Sequence, residues 1–168
     1  MNNDIKNEIR KLINDCGTCC HILNFEEEAP WLIISYKYKL SEDFIREFKD
    51  KVNWDHISDY QVLSESFITE FQNKVNWSSI SSCQKLSEHF IRKYKDKLYW
   101  HWISFHQKLS EDFIREFNDK LDWNYILSQQ DISEELRREM NNGSVFLPVK
   151  KVNLFPKITR SQLIDLDI

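Results

Sequence analysis

The chain has 168 residues, of which 41% are hydrophobic and 14% aromatic, so it can fill a core and is not a disordered polypeptide. Only two glycines and three prolines occur, which argues against an all-β fold with many tight turns. The formal net charge of -4 argues against general binding to nucleic acid or to an anionic membrane.

The chain carries no signal for export or for a membrane. No apolar run approaches the ~20 residues that a membrane-spanning helix needs. The N-terminus lacks a basic segment followed by an apolar one, which a signal peptide requires. Four cysteines without the spacing of a disulfide framework are typical of a reducing compartment. We therefore expect a soluble intracellular protein that does not associate with membranes.

The first predicted element is an amphipathic helix within residues 1–16. Its apolar residues recur at three- and four-residue spacing: Ile5, Ile9, Leu12 and Ile13. Asn3 or Asp4 can cap its start, and Gly17 can adopt the left-handed conformation that ends it. We expect this helix to close one end of a repeat array.

A fixed period of 23 residues organises the middle of the chain. Its leading position recurs without a slip at Leu40, Leu63, Leu86, Leu109 and Ile132. Tryptophan recurs with the same period, at Trp31, Trp54, Trp77, Trp100 and Trp123. A fixed period indicates a repeat protein. We predict a helical repeat array over residues 17–143, with repeats starting near 17, 40, 63, 86, 109 and 132, the one at 17–39 being degenerate.

Each repeat is predicted to contain two short helices. The serine after the leading residue can cap the first helix, and an apolar face from Phe44 to Val52 predicts about three turns. Asn53 can cap a second helix, which runs from Trp54 to about Gln61. Helices of this length are not stable alone, so stacking must stabilise them. The predicted class is all-α, an α-solenoid of helix-turn-helix repeats in which the five tryptophans are structural stacking residues.

The C-terminal segment, residues 144–168, changes character after Gly143. It is apolar, rich in β-branched residues and interrupted by prolines, so it is predicted to be extended. Ser161 can cap a last short helix. Two roles remain open for this tail: it covers the end of the array, or it docks a partner.

Comparison of the four clear repeats separates constant from changing positions. On the second helix Trp, Ile and Gln are constant and share one side, the packed one. The constant glutamine is predicted to satisfy backbone groups at a turn. One lysine is also constant, at Lys51, Lys74, Lys97 and Lys120, and either pairs with a glutamate of a neighbouring repeat or is solvated.

The opposite side of the second helix changes from repeat to repeat, which is how helical-repeat proteins present a binding surface. Drift on a solvent-exposed side would give the same pattern. The repeat at 86–108 stands out because it places large aromatic residues there, and exposed aromatics tend to mark interfaces. The candidate partner-binding residues are His101, Trp102, Phe105 and His106, with Tyr60 and Tyr125 at changing positions of other repeats.

Charge also singles out the repeat at 86–108. It carries five basic and two acidic side chains, a net charge of +3, whereas the repeats at 40–62 and 109–131 carry -3 and -4. Nucleic acid is therefore an alternative partner, with bases stacked on Trp102 and phosphates on Arg92, Lys93 and Lys95. The overall acidity of the chain makes protein the preferred partner.

No residue pattern predicts catalysis, a cofactor or a metal. Cys16 and Cys19 have the C-x-x-C spacing of a zinc site, but no second pair follows and free thiols are expected. His101 and His106 are five residues apart, whereas two histidines on one helical face are four apart. With two glycines in the chain, a phosphate-binding loop is excluded. We predict a protein that is not an enzyme.

The repeat wording Leu-Ser-Glu-Asp-Phe-Ile-Arg-Glu-Phe, continued to Trp and Gln, resembles a short tandem repeat in uncharacterised proteins of giant DNA viruses of amoebae, the mimivirus-like group. Residues 40–140 carry it clearly and 17–39 weakly. The resemblance implies a viral protein that acts in the host cytoplasm or is packaged in the virion. It transfers no functional residues, since no activity is known for the family.

The expected function is a non-enzymatic scaffold that binds a viral or host protein through the changing side of its second helices. The alternatives are nucleic-acid binding by the basic repeat at 86–108 and self-association as a structural particle component.

Overall fold

The computed structural model describes residues 3–16 and 24–141, and within these ranges the chain forms twelve helices and no strand. The helices follow the 23-residue period from Trp31 onward. This confirms the predicted all-α, helical-repeat class. The predictions for Gly17 and for residues 142–168 lie outside the described residues.

The chain begins with α1 (Asn3–Cys16), and helix pairs follow. The short helix α2 (Phe25–Glu28) lies one period before the turn that begins at Phe48. The first helices of the pairs are α4 (Glu42–Glu47), α6 (Glu65–Glu70), α8 (Glu88–Lys93), α10 (Glu111–Glu116) and α12 (Glu134–Asn141). The second helices are α3 (Trp31–Lys37), α5 (Trp54–Tyr60), α7 (Trp77–Cys83), α9 (Trp100–His106) and α11 (Trp123–Gln129). From α3 to α11 each helix has only six or seven residues, so its stability comes from packing.

The helices belong to two compact blocks. The N-terminal block spans Met1–Tyr99 and contains α1 to α8, and the C-terminal block spans Trp100–Ile168 and contains α9 to α12. The division falls between the two helices of the repeat that starts at Leu86.

Serine caps the start of the first helices, as predicted. The Oγ atom of Ser41 accepts a hydrogen bond from the backbone N–H of Phe44 at 3.1 Å. Ser64, Ser87, Ser110 and Ser133 make the same bond. Each cap satisfies an otherwise unpaired amide and stabilises its helix by about 1 kcal/mol.

The first helix is shorter than the predicted three turns. Helix α4 ends at Glu47, because Phe48 leaves the helical conformation with φ of -107° and ψ of 29°. The N–H groups of Lys51 and Val52 then both donate to the Phe48 carbonyl, at 2.9 and 3.0 Å. Val52 is still buried. The apolar spacing that suggested a longer helix is therefore produced by a helix and a turn together.

The break residues cap the second helices. Asn53 Oδ1 accepts from the backbone N–H of His56 at 2.9 Å, and Asn76 and Asp122 cap α7 and α11 in the same way. Pro30 precedes α3, as expected for a residue that blocks continuation of the previous helix.

The core is formed by the constant apolar residues of both helices. The Phe–Ile pairs of the first helices are inaccessible to solvent, as in Phe44, Ile45, Phe67, Ile68, Phe113 and Ile114. The constant isoleucines of the second helices are equally buried: Ile57, Ile80, Ile103 and Ile126. Burial of each such side chain contributes about 1.5–3 kcal/mol.

The tryptophans connect successive repeats within each block. Trp54 Nε1–H donates to the Lys49 carbonyl at 2.8 Å, which fixes the orientation of the indole. Its ring centroid lies 6.3 Å from Phe67 and 5.0 Å from Phe71 of the next repeat. Trp77 packs in this way on Phe90 and Tyr94, and Trp100 on Phe113 and Phe117.

The constant lysine covers the tryptophan of the preceding repeat. The Nζ atoms of Lys74 and Lys97 lie 5.9 and 5.2 Å from the ring centroids of Trp54 and Trp77. Lys120 takes the same position over Trp100. Lys74 also pairs with a carboxylate of the preceding repeat, as one of the two predicted alternatives had it, but the partner is Asp50 at 2.7 Å and not a glutamate. The cation–π contact was not predicted.

The constant glutamine bonds the first residue of its own repeat and two carbonyls of the repeat before it. Gln61 Oε1 accepts from the backbone N–H of Leu40 at 2.9 Å. Its Nε2 donates to the carbonyls of Ser35 and Tyr38 at 2.9 and 2.7 Å. Gln84 in the N-terminal block and Gln130 in the C-terminal block make corresponding bonds. This confirms that the glutamine satisfies backbone groups at the turn.

A serine four residues after the tryptophan adds a second connection. Ser58 Oγ donates to the Trp54 carbonyl at 2.7 Å and accepts from the Asn76 N–H at 2.9 Å. Ser35, Ser81 and Ser104 do the same. This position was not among the constant ones, because Leu127 occupies it in the last clear repeat.

Helix α1 covers the start of the repeat that begins at Leu40. The Glu8 carboxylate accepts from the backbone N–H of Ser41 at 2.9 Å and from its hydroxyl at 2.6 Å. Glu42 makes the equivalent bond to the N–H of Ser64 at 2.7 Å. Glu8 therefore stands in for the glutamate of a preceding repeat.

Candidate interaction surface

The changing positions of the second helices mostly face solvent. Of the side chains at these positions in α5, α7, α9 and α11, Ser79 alone is buried, while the others are half-buried or exposed. The constant isoleucines lie on the buried side of the same helices. The two sets of positions are thus separated in space, with packing on one side and a variable surface on the other.

Five rings in the C-terminal block form one connected group, the aromatic–histidine cluster, which consists of His101, Trp102, Phe105, His106 and Tyr125. Helices α9 and α11 are joined by Phe105 and Tyr125, with ring centroids 4.8 Å apart, and by His101 and Tyr125 at 5.0 Å. Along α9, Trp102 lies 5.7 Å from His106, and Phe105 lies 4.6 Å from His106. The cluster brings together five of the six predicted partner-binding residues.

The aromatic–histidine cluster is accessible and has polar edges. Phe105 exposes 40% of its surface, the two histidines are exposed, and Trp102 and Tyr125 are half-buried. The Nδ1 atom of His101 lies 3.4 Å from Oδ2 of Asp122. Aromatic groups that are packed against one another lose little side-chain entropy when a partner covers them.

The sixth predicted residue, Tyr60, belongs to the N-terminal block. There it forms a second group with Tyr36 and His56, whose ring centroids lie 6.0 and 5.9 Å from that of Tyr60. Tyr60 exposes 62% of its surface. The Nδ1 atom of His56 is buried and has no hydrogen-bond partner. The predicted set is therefore divided between two groups.

Helix α3 adds exposed apolar residues that were not predicted. Leu32, Ile33 and Tyr36 expose 55%, 39% and 43% of their surfaces. They occupy the changing positions of the degenerate repeat, one period before Asp55, His56 and Asp59. Extending the comparison from the four clear repeats to the degenerate one would have identified them.

The basic residues of the nucleic-acid hypothesis and its aromatic residue belong to different helices and to different blocks. Arg92 and Lys93 are on the first helix α8 in the N-terminal block, whereas Trp102 is on the second helix α9 in the C-terminal block. Part of the positive charge is already paired: Arg92 lies 3.6 Å from the carboxylate of Glu88, and Lys97 donates to Gln72 at 3.0 Å.

Several charged groups have shifted pKa values because they connect repeats. Hydrogen bonds from the backbone N–H and the hydroxyl of Ser133, at 2.6 and 3.1 Å, lower the pKa of Glu111. A hydrogen bond to Glu139 raises the pKa of Arg115, and one to Glu70 raises that of Arg46. These shifts follow from structural contacts and do not mark a catalytic group.

Within residues 3–16 and 24–141, no group of three His, Cys, Asp or Glu side chains is arranged to hold a metal ion. The spacing between Cys16 and Cys19 falls on side chains outside the described residues. None of the helices in the described ranges has the length and apolar character needed to cross a bilayer.

Comparison of the chain with protein-family models, with curated proteins and with solved structures gives no match. The resemblance to giant-virus repeats stays a prediction from the wording of the repeat.

Proposed function

We propose that this protein is a non-enzymatic scaffold that binds a protein partner through the changing side of its second helices, with the aromatic–histidine cluster as the main contact. The observation that carries the proposal is the connected surface of five rings on α9 and α11. Aromatic residues in such clusters account for most of the binding free energy in many protein interfaces.

The separation of packing and surface positions supports this function. The constant residues form the core and the contacts between repeats, so the changing residues can vary without loss of the fold. Large aromatic side chains at solvent-exposed positions reduce solubility when nothing covers them. A protein partner would cover both the ring faces and the polar edges at His101 and His106.

The test is affinity capture from host or infected-cell lysate with quantitative mass spectrometry. The variant is Trp102→Ala with Phe105→Ala, and the matched control is Asn124→Ala with Ser128→Ala, two exposed polar positions on α11 in the same block. We expect the control to retain partners that the aromatic variant loses, while both keep the parent's circular dichroism. Equal capture by the two variants would contradict the assignment.

Nucleic-acid binding is the alternative that the positive charge of α8 favours. Its test is salt-dependent binding of single-stranded DNA or RNA, because phosphate contacts release counterions. A steep salt dependence that Lys93→Ala and Lys95→Ala abolish would favour nucleic acid over protein. Self-association as a particle component is the third candidate, and light scattering over a range of protein concentrations tests it.

We further propose a viral origin and a location in the host cytoplasm or the virion, on the basis of the repeat wording over residues 40–140. Mass spectrometry of purified particles and of infected-cell cytoplasm distinguishes the two locations.

A further inference from the structure

Three rings of the N-terminal block, those of Tyr36, His56 and Tyr60, form what we call the tyrosine–histidine group. The ring centroids of Tyr36 and His56 lie 5.3 Å apart, and that of Tyr60 lies 6.0 and 5.9 Å from them. The ring planes are inclined to one another by 82°, 57° and 77°. The rings therefore do not form a closed stack, and one small ligand can contact all three.

The tyrosine–histidine group is open to solvent. Tyr36 and Tyr60 expose 43% and 62% of their surfaces, and His56 is half-buried. A cation placed above the triangle of ring centroids would lie within about 6 Å of each, the range in which the ring quadrupole attracts a positive charge. Sets of aromatic rings bind quaternary ammonium groups in particular, and a primary ammonium is held back by its strong hydration.

Negative charge adjoins the group. Asp55 and Asp59, both exposed, lie on α5 directly before the two rings that this helix contributes. Lys37, at the end of α3, has its Nζ atom 5.6 Å from the ring centroid of Tyr38. With two carboxylates and one ammonium, helices α3 and α5 together carry a net charge of -1. Their surface therefore favours a cation over an anion.

The positions of these two carboxylates are uncharged in the C-terminal block. Three periods after Asp55 and Asp59, helix α11 carries Asn124 and Ser128. Both blocks place aromatic rings on the changing side of their second helices, but the pair of aspartates is specific to the N-terminal group. The two surfaces thus differ in the ligand that their charge favours.

The same kind of contact occurs between the repeats. The Nζ atoms of Lys74 and Lys97 lie 5.9 and 5.2 Å from the ring centroids of Trp54 and Trp77. There the next repeat supplies the cation, and the contact holds two repeats together. The tyrosine–histidine group lies on the changing side of α3 and α5, where a partner can supply the cation.

We propose that the tyrosine–histidine group binds a trimethylated lysine side chain of a partner protein. Leu32 and Ile33 lie four and three residues before Tyr36 on the same face of α3, and they expose 55% and 39% of their surfaces. A free small cation would leave this apolar surface uncovered, whereas the residues that flank a lysine in a peptide would cover it. The proposal rests on the proposed protein-binding function only for the source of the cation, and it does not involve the aromatic–histidine cluster.

NMR titration of the full-length protein with choline and with neohexyl alcohol tests the ring site. The two molecules have the same shape, but a carbon atom replaces the charged nitrogen in the alcohol. We expect choline to shift the ring resonances of Tyr36, His56 and Tyr60 and to bind about fivefold or more tightly than the alcohol, because only choline gains the cation–π attraction.

Three variants locate the site. Tyr60→Leu keeps apolar bulk but removes a ring, so it should lose the preference for choline. Tyr99→Leu, at a tyrosine of the same block that is 54% exposed, is the matched control and should keep it. Asp59→Asn should weaken choline by about twofold and leave the alcohol unchanged, since an exposed carboxylate attracts a cation only modestly.

The capped peptide Gly-Leu-Lys-Leu-Gly, with and without three methyl groups on the lysine, tests the source of the cation. We expect the trimethylated peptide to bind about tenfold more tightly than choline, because its leucines cover apolar surface on α3. It should also bind about fivefold more tightly than the unmodified peptide. Leu32→Ser should weaken the peptide and leave choline unchanged.

Equal binding of choline and neohexyl alcohol, or a preference for choline that survives in Tyr60→Leu, would overturn the site. A trimethylated peptide no tighter than choline would contradict a protein side chain and assign the site to a free small cation. Equal binding of the two peptides would contradict the role of methylation. The variant Trp102→Ala with Phe105→Ala should keep the parent's affinity for choline, so failure of this proposal is distinguishable from failure of the proposed function.

Discussion

Gln84 Nε2 donates a hydrogen bond at 2.7 Å to the backbone carbonyl of Gln61, the equivalent residue of the preceding repeat. The Gln84 side chain thus binds the end of the helix that Gln61 follows. The Gln61 side chain in turn bonds the end of the helix one repeat earlier. Because each glutamine bonds backbone groups rather than side chains, the connection tolerates changes at the surface. The glutamines are therefore the specific element of stacking, while the buried Phe and Ile residues supply its bulk stability.

Gln84→Ala should destabilise the N-terminal block. The substitution removes the partners of the Leu63 N–H and of the Ser58 and Gln61 carbonyls. Because these buried polar groups lose their partners, we expect the free energy of unfolding to fall by about 2–4 kcal/mol. Urea unfolding followed by circular dichroism measures it. Gln129→Ala, at an exposed position of α11, is the control and should cost less than about 0.5 kcal/mol. A similar loss in both variants would contradict the role of the glutamine.

Trp77→Ala should lower stability by about 3 kcal/mol, the lower end of the range for tryptophan, because the side chain is half-buried. It removes the ring contacts to Phe90 and Tyr94 and the bond from Nε1 to the Gln72 carbonyl. Trp102→Ala, at a changing position, is the matched comparison and should cost far less. Thermal unfolding distinguishes the two. A melting temperature of Trp77→Ala within a degree of the parent would show that the tryptophan is not a stacking residue.

Glu111 should contribute stability that depends on pH. Hydrogen bonds from Ser133 hold its pKa in the folded protein below its ordinary value of 4.5. A lowered folded-state pKa means that the contribution is fully present above pH 4.5 and is lost as the pH falls through the lowered pKa. The parent should therefore be more stable than Glu111→Gln near neutral pH, and the difference should shrink below that window.

Denaturant unfolding of the parent and Glu111→Gln between pH 3 and 7 measures this difference, with Asp119→Asn as the control from the exposed turn of the same repeat. A difference between parent and Glu111→Gln that is constant across the range would show that the ionised carboxylate does not carry the contact to Ser133.

Much of the fold is predictable because equivalent positions can be compared across several repeats. Ser41 and its four equivalents are recognisable as caps, since a serine before an apolar helical stripe has a specific structural role. The end of α4 at Glu47 is not predictable from the stripe, because Val52 is buried equally well from a turn. The cation–π contact of Lys74 is also not predictable from the sequence, since a lysine at a constant surface position suggests an ion pair first.

The candidate surface is predictable in part. His101, Trp102, Phe105 and His106 share one helix and stand out by composition, and their contact with Tyr125 follows from the 23-residue period. The exposed residues of α3 are harder to find, because Leu32 and Ile33 resemble core residues when the degenerate repeat is not aligned. The division after Tyr99 has no counterpart in the repeat wording, which continues through it unchanged.

The affinity of the purified protein for the captured partner tests the central claim most directly. Isothermal titration calorimetry of the parent, of Trp102→Ala with Phe105→Ala, and of Asn124→Ala with Ser128→Ala compares the cluster with its polar surroundings on the same block. We predict that the aromatic variant raises the Kd by about 30-fold or more, since truncation of a hot-spot residue costs about 2 kcal/mol or more. The polar variant should stay within about threefold of the parent. Equal affinities for all three proteins would contradict binding through the aromatic–histidine cluster.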